Sequence, residues 1–122
     1  MKQQDKEELL LKDLCARLPY RVKCQFEDTI EIIKEIWFCE DDSWQVDGEK
    51  TSTCIYAIKP YLFPRSSMTE EQKIEEYKLM NSNFYTSTVE LSDFYNKNHI
   101  DYRGLIPLGL AKDATGLGIY GK

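Results

Sequence analysis

Three side chains that could perform acid–base chemistry lie within five residues of one another: His99, Asp101 and Arg103. An imidazole that is oriented by a carboxylate can act as a general base, and a guanidinium can bind an anionic group. The sequence ties no hydroxyl or thiol nucleophile to them. In the alternative interpretation, His99 ends a helix, where a partial positive charge is favourable, and Asp101 and Arg103 form an ion pair that closes a loop. We favour this structural interpretation, and we predict no catalytic residues and no enzymatic activity.

A second candidate is the acidic segment from Glu27 to Glu49, which holds nine carboxylates and a single lysine. Glu40, Asp41 and Asp42 could ligate a metal, but a calcium loop needs alternating ligands and a glycine-assisted turn, and Gly48 is too distant. We therefore predict no metal site. The segment can instead be a charged surface that docks on a basic partner or replaces nucleic acid at its binding site. It can also be a solvated sheet edge whose charge prevents edge-to-edge pairing.

The four cysteines are too far apart in the sequence to suggest a zinc site, because structural zinc ligands usually come in pairs two to four residues apart. We predict reduced thiols and no cofactor. Cys24 and Cys54 fall in predicted strands and Cys39 directly follows one, and we expect all three to pack as small hydrophobic residues.

The spacing of apolar residues in the first half predicts a helix over 6–17, ended by Pro19, and antiparallel strands over 20–58. We expect a bulge near Ile32 and Ile33, where alternation is imperfect, and β-branched residues favour strand over helix there. Asp47 and Gly48 form the strongest hairpin signal, since glycine can adopt a positive φ. The predicted strands are Val22–Phe26, Thr29–Phe38, Ser43–Val46 and Thr51–Ile58. Short strands with short turns suggest a small curled sheet, with an SH3-like barrel as one form.

The second half begins with Lys59–Pro64, whose two prolines predict an extended segment outside the sheet ladder. Its centre, Tyr61–Phe63, is therefore the best candidate for an exposed apolar patch. Capping boxes predict helices over 69–80 and 88–98, the first with Ile74, Tyr77 and Leu79 facing inward. Residues 114–122 are glycine-rich and predict a loose tail, although Leu117, Ile119 and Tyr120 could dock.

The charge balance disfavours nucleic acid as the partner. The 122 residues contain 16 Lys and Arg against 21 Asp and Glu, a net charge of −5. Nucleic-acid surfaces usually carry a basic excess and interleave aromatic residues with Arg or Lys, whereas the strand aromatics here alternate with acids. No apolar run approaches the roughly 18 residues of a membrane helix, and the first residues lack a signal-peptide core. We therefore predict a cytoplasmic protein with no membrane partner.

Two segments, Lys59–Lys73 and His99–Ala111, resemble a family of small proteins encoded in gut-bacterial genomes, prophages and phages. Glu8–Tyr20 is similar to the usual opening of that family, and the similarity covers about two-thirds of the chain. Asp113–Gly118 departs from the Glu-Ala-Pro-Glu-Gly-Met-Tyr sequence found near the end of such proteins. Since the family has no established activity, the resemblance implies a phage or mobile-element setting and supplies no catalytic residues.

Together these observations predict one α+β domain over residues 1–122, with an N-terminal helix, a small antiparallel sheet and two C-terminal helices. The predicted function is a non-enzymatic protein-interaction module that presents an acidic sheet surface to a protein partner. The alternative is a small β-barrel protein associated with nucleic acid. The predicted binding residues are Glu40, Asp41, Asp42, Trp44, Tyr61 and Phe63.

Overall fold

The computed structural model describes residues 2–81 and 84–120, with the backbone alone for residues 84–87. Its elements, in chain order, are α1 (Gln3–Arg17), β1 (Lys23–Gln25), β2 (Ile30–Ile32), β3 (Glu35–Phe38), β4 (Trp44–Asp47), β5 (Ser52–Cys54), β6 (Lys59–Pro64), α2 (Glu70–Met80), α3 (Phe84–Lys97), β7 (Ile100–Asp101) and β8 (Lys112–Asp113). Short 3-10 turns cover Leu18–Tyr20, Ile55–Ala57 and Arg65–Ser67. The arrangement confirms the predicted α+β class. No helix in the described part of the chain is long and apolar enough to cross a membrane.

The strands form two separate sheets, and residues 2–81 and 84–120 contain no closed barrel. The first sheet has the order β2-β1-β6-β7, and β8 also pairs with β6. The pairs β1·β2 and β1·β6 are antiparallel, whereas β7 and β8 run parallel to β6. The second sheet, β3-β4-β5, is antiparallel throughout. The strands between residues 20 and 58 pair antiparallel as predicted, but they divide between two sheets, and the predicted strand Thr51–Ile58 ends in the 3-10 turn at Ile55–Ala57. The first sheet is mixed because the chain returns to β6 after α3.

The strand predicted over Thr29–Phe38 breaks at Ile33 and Lys34, where the chain leaves the first sheet and enters the second. The backbone N–H of Ile33 donates to Val22 in the first sheet at 3.2 Å, and that of Lys34 donates to Asp47 in the second sheet at 2.7 Å. Two successive residues thus bond to different sheets. The expected bulge is a complete transfer of the chain from one sheet to the other.

The prediction that Lys59–Pro64 lies outside the ladder is wrong, because this segment is β6, at the centre of the first sheet. Each neighbour pairs with only a short part of it. Strand β1 pairs through Lys59 and Pro60, β8 through Tyr61 and Leu62, and β7 through Phe63 and Pro64. The missing N–H groups of the two prolines therefore interrupt no long ladder.

The main core lies between α1 and the strands. The predicted inward face of the first strand is confirmed, since Val22, Cys24 and Phe26 are fully buried. Leu10 and Leu14 of α1 join them, and α1 begins three residues before the predicted start. Beyond β6, a second cluster consists of Met68, Phe94, Tyr95 and Ile100.

Helix α2 confirms the first capping box but presents a different face to the core. Thr69 accepts a hydrogen bond from the Gln72 N–H at 3.1 Å, and its own N–H donates to the Gln72 side chain at 3.0 Å. Ile74 and Tyr77, predicted to face inward, are 55% and 70% exposed. The buried residue is Glu76, because its carboxylate accepts hydrogen bonds from Tyr95 and Arg65 at 2.6 and 2.9 Å.

Helix α3 begins at Phe84, four residues before the predicted start, so the second predicted capping box lies within the helix. A capping residue needs a non-helical backbone, and Ser87 is helical here. Asn81 ends α2 as predicted, whereas Ser82 and Asn83, predicted with it to break the helix, lie outside the described residues.

The prediction of a loose tail is wrong for residues 114–120. Ala114 is buried, and the Tyr120 hydroxyl donates to the Tyr61 carbonyl at 2.8 Å and accepts from the Lys23 N–H at 2.9 Å. Leu117 remains exposed, so the docking alternative holds for Tyr120 and not for Leu117. Residues 121 and 122 lie outside the described part.

Candidate functional site

The outer face of the second sheet is built from alternate residues of its three strands. Cross-strand partners share a face, and successive side chains of a strand point to opposite faces. Ile36 pairs with Val46 on the inner face, where both pack on the core. The opposite face, here called the acidic face, carries Glu35, Trp37, Gln45, Asp47, Ser52 and Cys54.

Hydrogen bonds fix the side chains of the acidic face. The Asp47 carboxylate accepts from the Trp37 indole N–H at 3.1 Å and from the Ser52 hydroxyl at 2.5 Å. The Gln45 amide donates to the Cys54 sulfur at 3.1 Å and to the Ser43 hydroxyl at 3.2 Å. The Trp37 ring is thereby held across the sheet while 41% of it stays exposed.

The turn between β3 and β4, residues 39–43, forms an acidic tip at the end of this sheet. Its backbone closes through Cys39 N–H to Ser43 carbonyl at 2.8 Å, and Asp42 has a φ of 63°. The Asp41 carboxylate accepts from the Ser43 backbone N–H at 3.2 Å and from the Ser43 hydroxyl at 2.6 Å. Glu40, Asp41 and Asp42 are all exposed, so the charges of the tip reach solvent at the end of a hydrogen-bonded turn.

An apolar pair lies directly beside the acidic tip. Phe38 and Trp44 are cross-strand partners, with ring centroids 4.9 Å apart and planes tilted by 60°. Trp44 is half-buried against the core, whereas Phe38 is 52% exposed. The tip therefore combines a large apolar side chain with carboxylates.

The charge of this region is unbalanced. From Glu35 to Glu49 the sequence contains six acids and no Lys or Arg. Strand pairing places Glu35 directly opposite Asp47, and like charges in that position destabilise a sheet. This part of the surface concentrates negative charge at a cost in stability.

The structure divides the predicted site residues between two places. Glu40, Asp41, Asp42 and Trp44 lie together at the tip. Tyr61 and Phe63, by contrast, belong to β6 in the first sheet. The Tyr61 side chain is only 5% exposed, and its hydroxyl donates to Gln25 at 2.6 Å.

The prediction of an exposed Tyr61–Phe63 patch is therefore wrong. Phe63 is half-buried against Tyr120, with ring centroids 5.8 Å apart. The exposed aromatic residues Trp37 and Phe38 take its place in the site. Trp37 could have been identified from the sequence, because it lies two residues after Glu35 and so shares a strand face with an acid.

His99, Asp101 and Arg103 serve separate structural roles. The Asp101 carboxylate accepts from the backbone N–H groups of Leu105 and Ile106 at 2.8 and 2.9 Å, and so closes the loop that follows β7. Arg103 donates to Asp13 at 2.8 Å, so the predicted ion pair with Asp101 is wrong. His99 stacks on Tyr120 instead of contacting the other two.

No metal-binding cluster is present among the described residues: no group of three or more His, Cys, Asp and Glu side chains is placed to hold an ion. At the tip, the Asp41 carboxylate is occupied by the hydrogen bonds from Ser43. All four cysteines are free, with Cys24 buried and Cys15 exposed.

Comparisons of the chain with protein-family models, with curated proteins and with solved structures find no match. The proposed function therefore rests on the geometry of the acidic face and the tip, and on the pattern of charge around them.

Proposed function

We propose that this chain is a non-enzymatic interaction module that binds a basic segment of a partner protein on the acidic face and the acidic tip. The observation that carries the proposal is the exposure of Trp37 and Phe38 within a fifteen-residue stretch, Glu35 to Glu49, that contains six acids and no basic residue. Exposed aromatic rings supply the contact area of an interface, and the surrounding charge selects the partner.

The aromatic residues would anchor the partner. Trp is among the residues that contribute most to binding when a partner buries it, and Trp37 is already held in one orientation by Asp47. A fixed side chain loses little conformational entropy on binding. Phe38 lies on the opposite face of β3 from Trp37, so it would serve as a second anchor for a partner that reaches around the tip.

The carboxylates would select a basic partner. Opposite charge steers association and raises the rate of encounter, while an anionic or phosphate-rich partner would be repelled. A Lys or Arg side chain inserted near Glu35 and Asp47 would also relieve their cross-strand repulsion. For the same reason we favour a protein partner over nucleic acid.

We place this module in the cytoplasm and in a phage or other mobile element. The free state of all four cysteines supports a reducing compartment. The mobile-element setting rests on the resemblance of Lys59–Lys73 and His99–Ala111 alone.

The test removes the charge of the tip while preserving its shape. In the triple variant Glu40→Gln, Asp41→Asn and Asp42→Asn, the amide carbonyl introduced at position 41 can still accept from Ser43, so the turn is retained. We expect the partner, isolated with the tagged wild-type chain from the organism that encodes it, to bind the variant about tenfold more weakly or worse. Isothermal titration calorimetry with the purified partner measures the affinity, and wild-type affinity should fall steeply as salt is raised.

The matched control removes three exposed acids elsewhere, through Glu71→Gln, Glu75→Gln and Glu90→Gln on the two C-terminal helices. This variant has the same net charge as the tip variant and should keep wild-type affinity. Equal affinities for the tip variant and the wild type, or an equal loss in the control, would contradict the proposal.

A further inference from the structure

A cavity of about 370 Å³ lies on the side of the molecule where β6, the end of α3 and the C-terminal segment meet. This volume falls within the range of small-molecule sites, roughly 300–1,000 Å³. Its lining comes from β6, from the turn before α2, from the first turn of that helix, from the end of α3 and from residues 114–120. None of its lining residues belongs to the second sheet, so the cavity is independent of the acidic face and the tip.

One part of the lining is aromatic and apolar. Phe63 and Tyr120 lie with ring centroids 5.8 Å apart, and Ile119 adjoins them. The His99 ring stacks on Tyr120 at 4.0 Å with an interplanar angle of 14°. Tyr120 is itself fixed by its hydrogen bonds to Tyr61 and Lys23, so this surface is pre-formed for a flat, apolar group.

Of the polar groups in the lining, the Ser67 hydroxyl and the Asn98 amide already donate to backbone carbonyls, at 2.7 and 2.9 Å. The Nδ1 atom of His99 is buried without a partner in the part of the chain that the structure describes. Burial, with the charges of Arg17 and Lys23, lowers the pKa of His99 to about 4, so the ring is neutral at neutral pH. A neutral imidazole can exchange a hydrogen bond with a bound molecule but adds no charge.

Two lysines lie at the cavity. The Lys23 ammonium is 5.7 Å from the centre of the Tyr120 ring and donates to the Ile119 carbonyl. Among its described lining residues Lys97 alone is charged at neutral pH, and it is exposed. The Asn98 amide group has two N–H bonds, of which one donates to the Phe94 carbonyl. An exposed lysine beside an amide and aromatic rings matches a ligand that carries a negative charge on a planar ring.

The geometry points to a binding site for a small aromatic or heteroaromatic anion, with its ring among Phe63, Ile119 and Tyr120 and its acidic group at Lys97. The assignment is to binding alone, since the Ser67 hydroxyl in this lining already donates to the Pro64 carbonyl at 2.7 Å. This site is separate from the surface proposed for the protein partner, and either can exist without the other.

The experiment is a titration of the ¹⁵N-labelled full chain with three planar carboxylates, benzoate, indole-3-carboxylate and naphthalene-2-carboxylate, followed by amide chemical shifts. We expect saturable shifts for residues 97–99 and 116–120 with at least one of them, and a dissociation constant near or below about 1 mM. The corresponding neutral carboxamides should bind at least about threefold more weakly, because they lack the charge that Lys97 attracts.

Two variants locate the site. Lys97→Gln should weaken carboxylate binding about threefold or more and leave carboxamide binding unchanged, whereas the control Lys78→Gln, an exposed lysine on α2, should change neither. Ser67→Phe replaces an exposed residue of the lining with a side chain that fills the cavity, and it should abolish binding while circular dichroism shows an intact fold. The inference is overturned if none of the three carboxylates gives saturable shifts at these residues, or if Ser67→Phe, shown to be folded, binds as well as the wild type.

Discussion

Replacing Asp13 with alanine is expected to lower the free energy of unfolding by about 3–5 kcal/mol, the largest effect that we expect from a single polar substitution. Asp13 is fully buried and accepts from Arg17 Nε at 2.9 Å and from Arg103 Nη1 at 2.8 Å. Arg17 is also fully buried, and its other donors bond to the carbonyls of Ile100 at 2.6 Å and Tyr95 at 3.4 Å. Without Asp13 its positive charge would be buried with no carboxylate beside it.

Urea unfolding followed by circular dichroism measures this loss. The matched control is Glu8→Ala, an exposed acid on the same helix, which should change the free energy of unfolding by less than about 0.5 kcal/mol. The double variant Asp13→Leu with Arg17→Met, which replaces the buried pair with apolar groups, should be more stable than Asp13→Ala. A loss below about 1 kcal/mol for Asp13→Ala would show that Arg17 is not held as described.

Replacing Gly48 with alanine is expected to cost about 2–4 kcal/mol, through steric overlap and not through backbone conformation. A Cβ atom at this position would lie 2.5 Å from Glu31 Oε1 and 2.8 Å from Phe26 Cζ. Phe26 is fully buried, so neither neighbour can move freely. Glycine is required at this position because Glu31 and Phe26 approach its Cα atom closely. The positive φ predicted for this hairpin glycine is wrong, since Gly48 is not among the residues with positive φ.

The Glu31 carboxylate explains why the overlap is not easily relieved. It accepts from the backbone N–H groups of Lys50 and Thr51 at 2.7 and 3.0 Å, and from the hydroxyls of Thr51 and Thr29 at 2.6 and 2.5 Å. Burial alone would raise the pKa of Glu31, but these hydrogen bonds outweigh it and lower the pKa to about 2. Displacing the carboxylate would break several charge-assisted hydrogen bonds at once.

Gly109→Ala is the matched control for Gly48→Ala, since Gly109 has a φ of +76° and its added Cβ would meet no atom within 4 Å. It should cost only about 1 kcal/mol of backbone strain. A pH titration of Glu31 followed by nuclear magnetic resonance adds an independent measurement. Gly48→Ala should raise the Glu31 pKa from about 2 toward its ordinary value, whereas Gly109→Ala should leave it unchanged. Equal losses in the two variants, with an unchanged Glu31 pKa, would contradict the steric explanation.

Local signals predicted the elements whose determinants are near in sequence. The face of Val22, Cys24 and Phe26 follows from alternation, and the capping box of Thr69 and Gln72 follows from a four-residue pattern; both were confirmed. Where the deciding partner is distant, the predictions were wrong. Glu76 is buried because Tyr95, nineteen residues later, donates to it, and helical periodicity of apolar residues contains no information about that contact.

The same limit applied to the candidate site. The acidic tip was predictable because Glu40, Asp41 and Asp42 are consecutive and turn-forming, so their access to solvent depends little on the rest of the fold. The burial of Tyr61 was not predictable from the flanking prolines, because it depends on β7, β8 and Tyr120, all of which are distant in the chain. The transfer of the chain between sheets at Ile33 likewise depends on Val22 and Asp47 as backbone partners.

The most direct measurement of the proposed docking surface is photo-crosslinking in the organism that encodes the chain. A photoreactive phenylalanine analogue is placed at Phe38 beside the tip, or at Tyr77 on α2, both exposed aromatic positions. We predict that the Phe38 position crosslinks to a Lys- or Arg-rich segment of one protein, that neutralising Glu40, Asp41 and Asp42 removes this product, and that Tyr77 does not form it. Crosslinking of the same protein from Tyr77 with none from Phe38, or crosslinking of Phe38 to nucleic acid, would contradict the account.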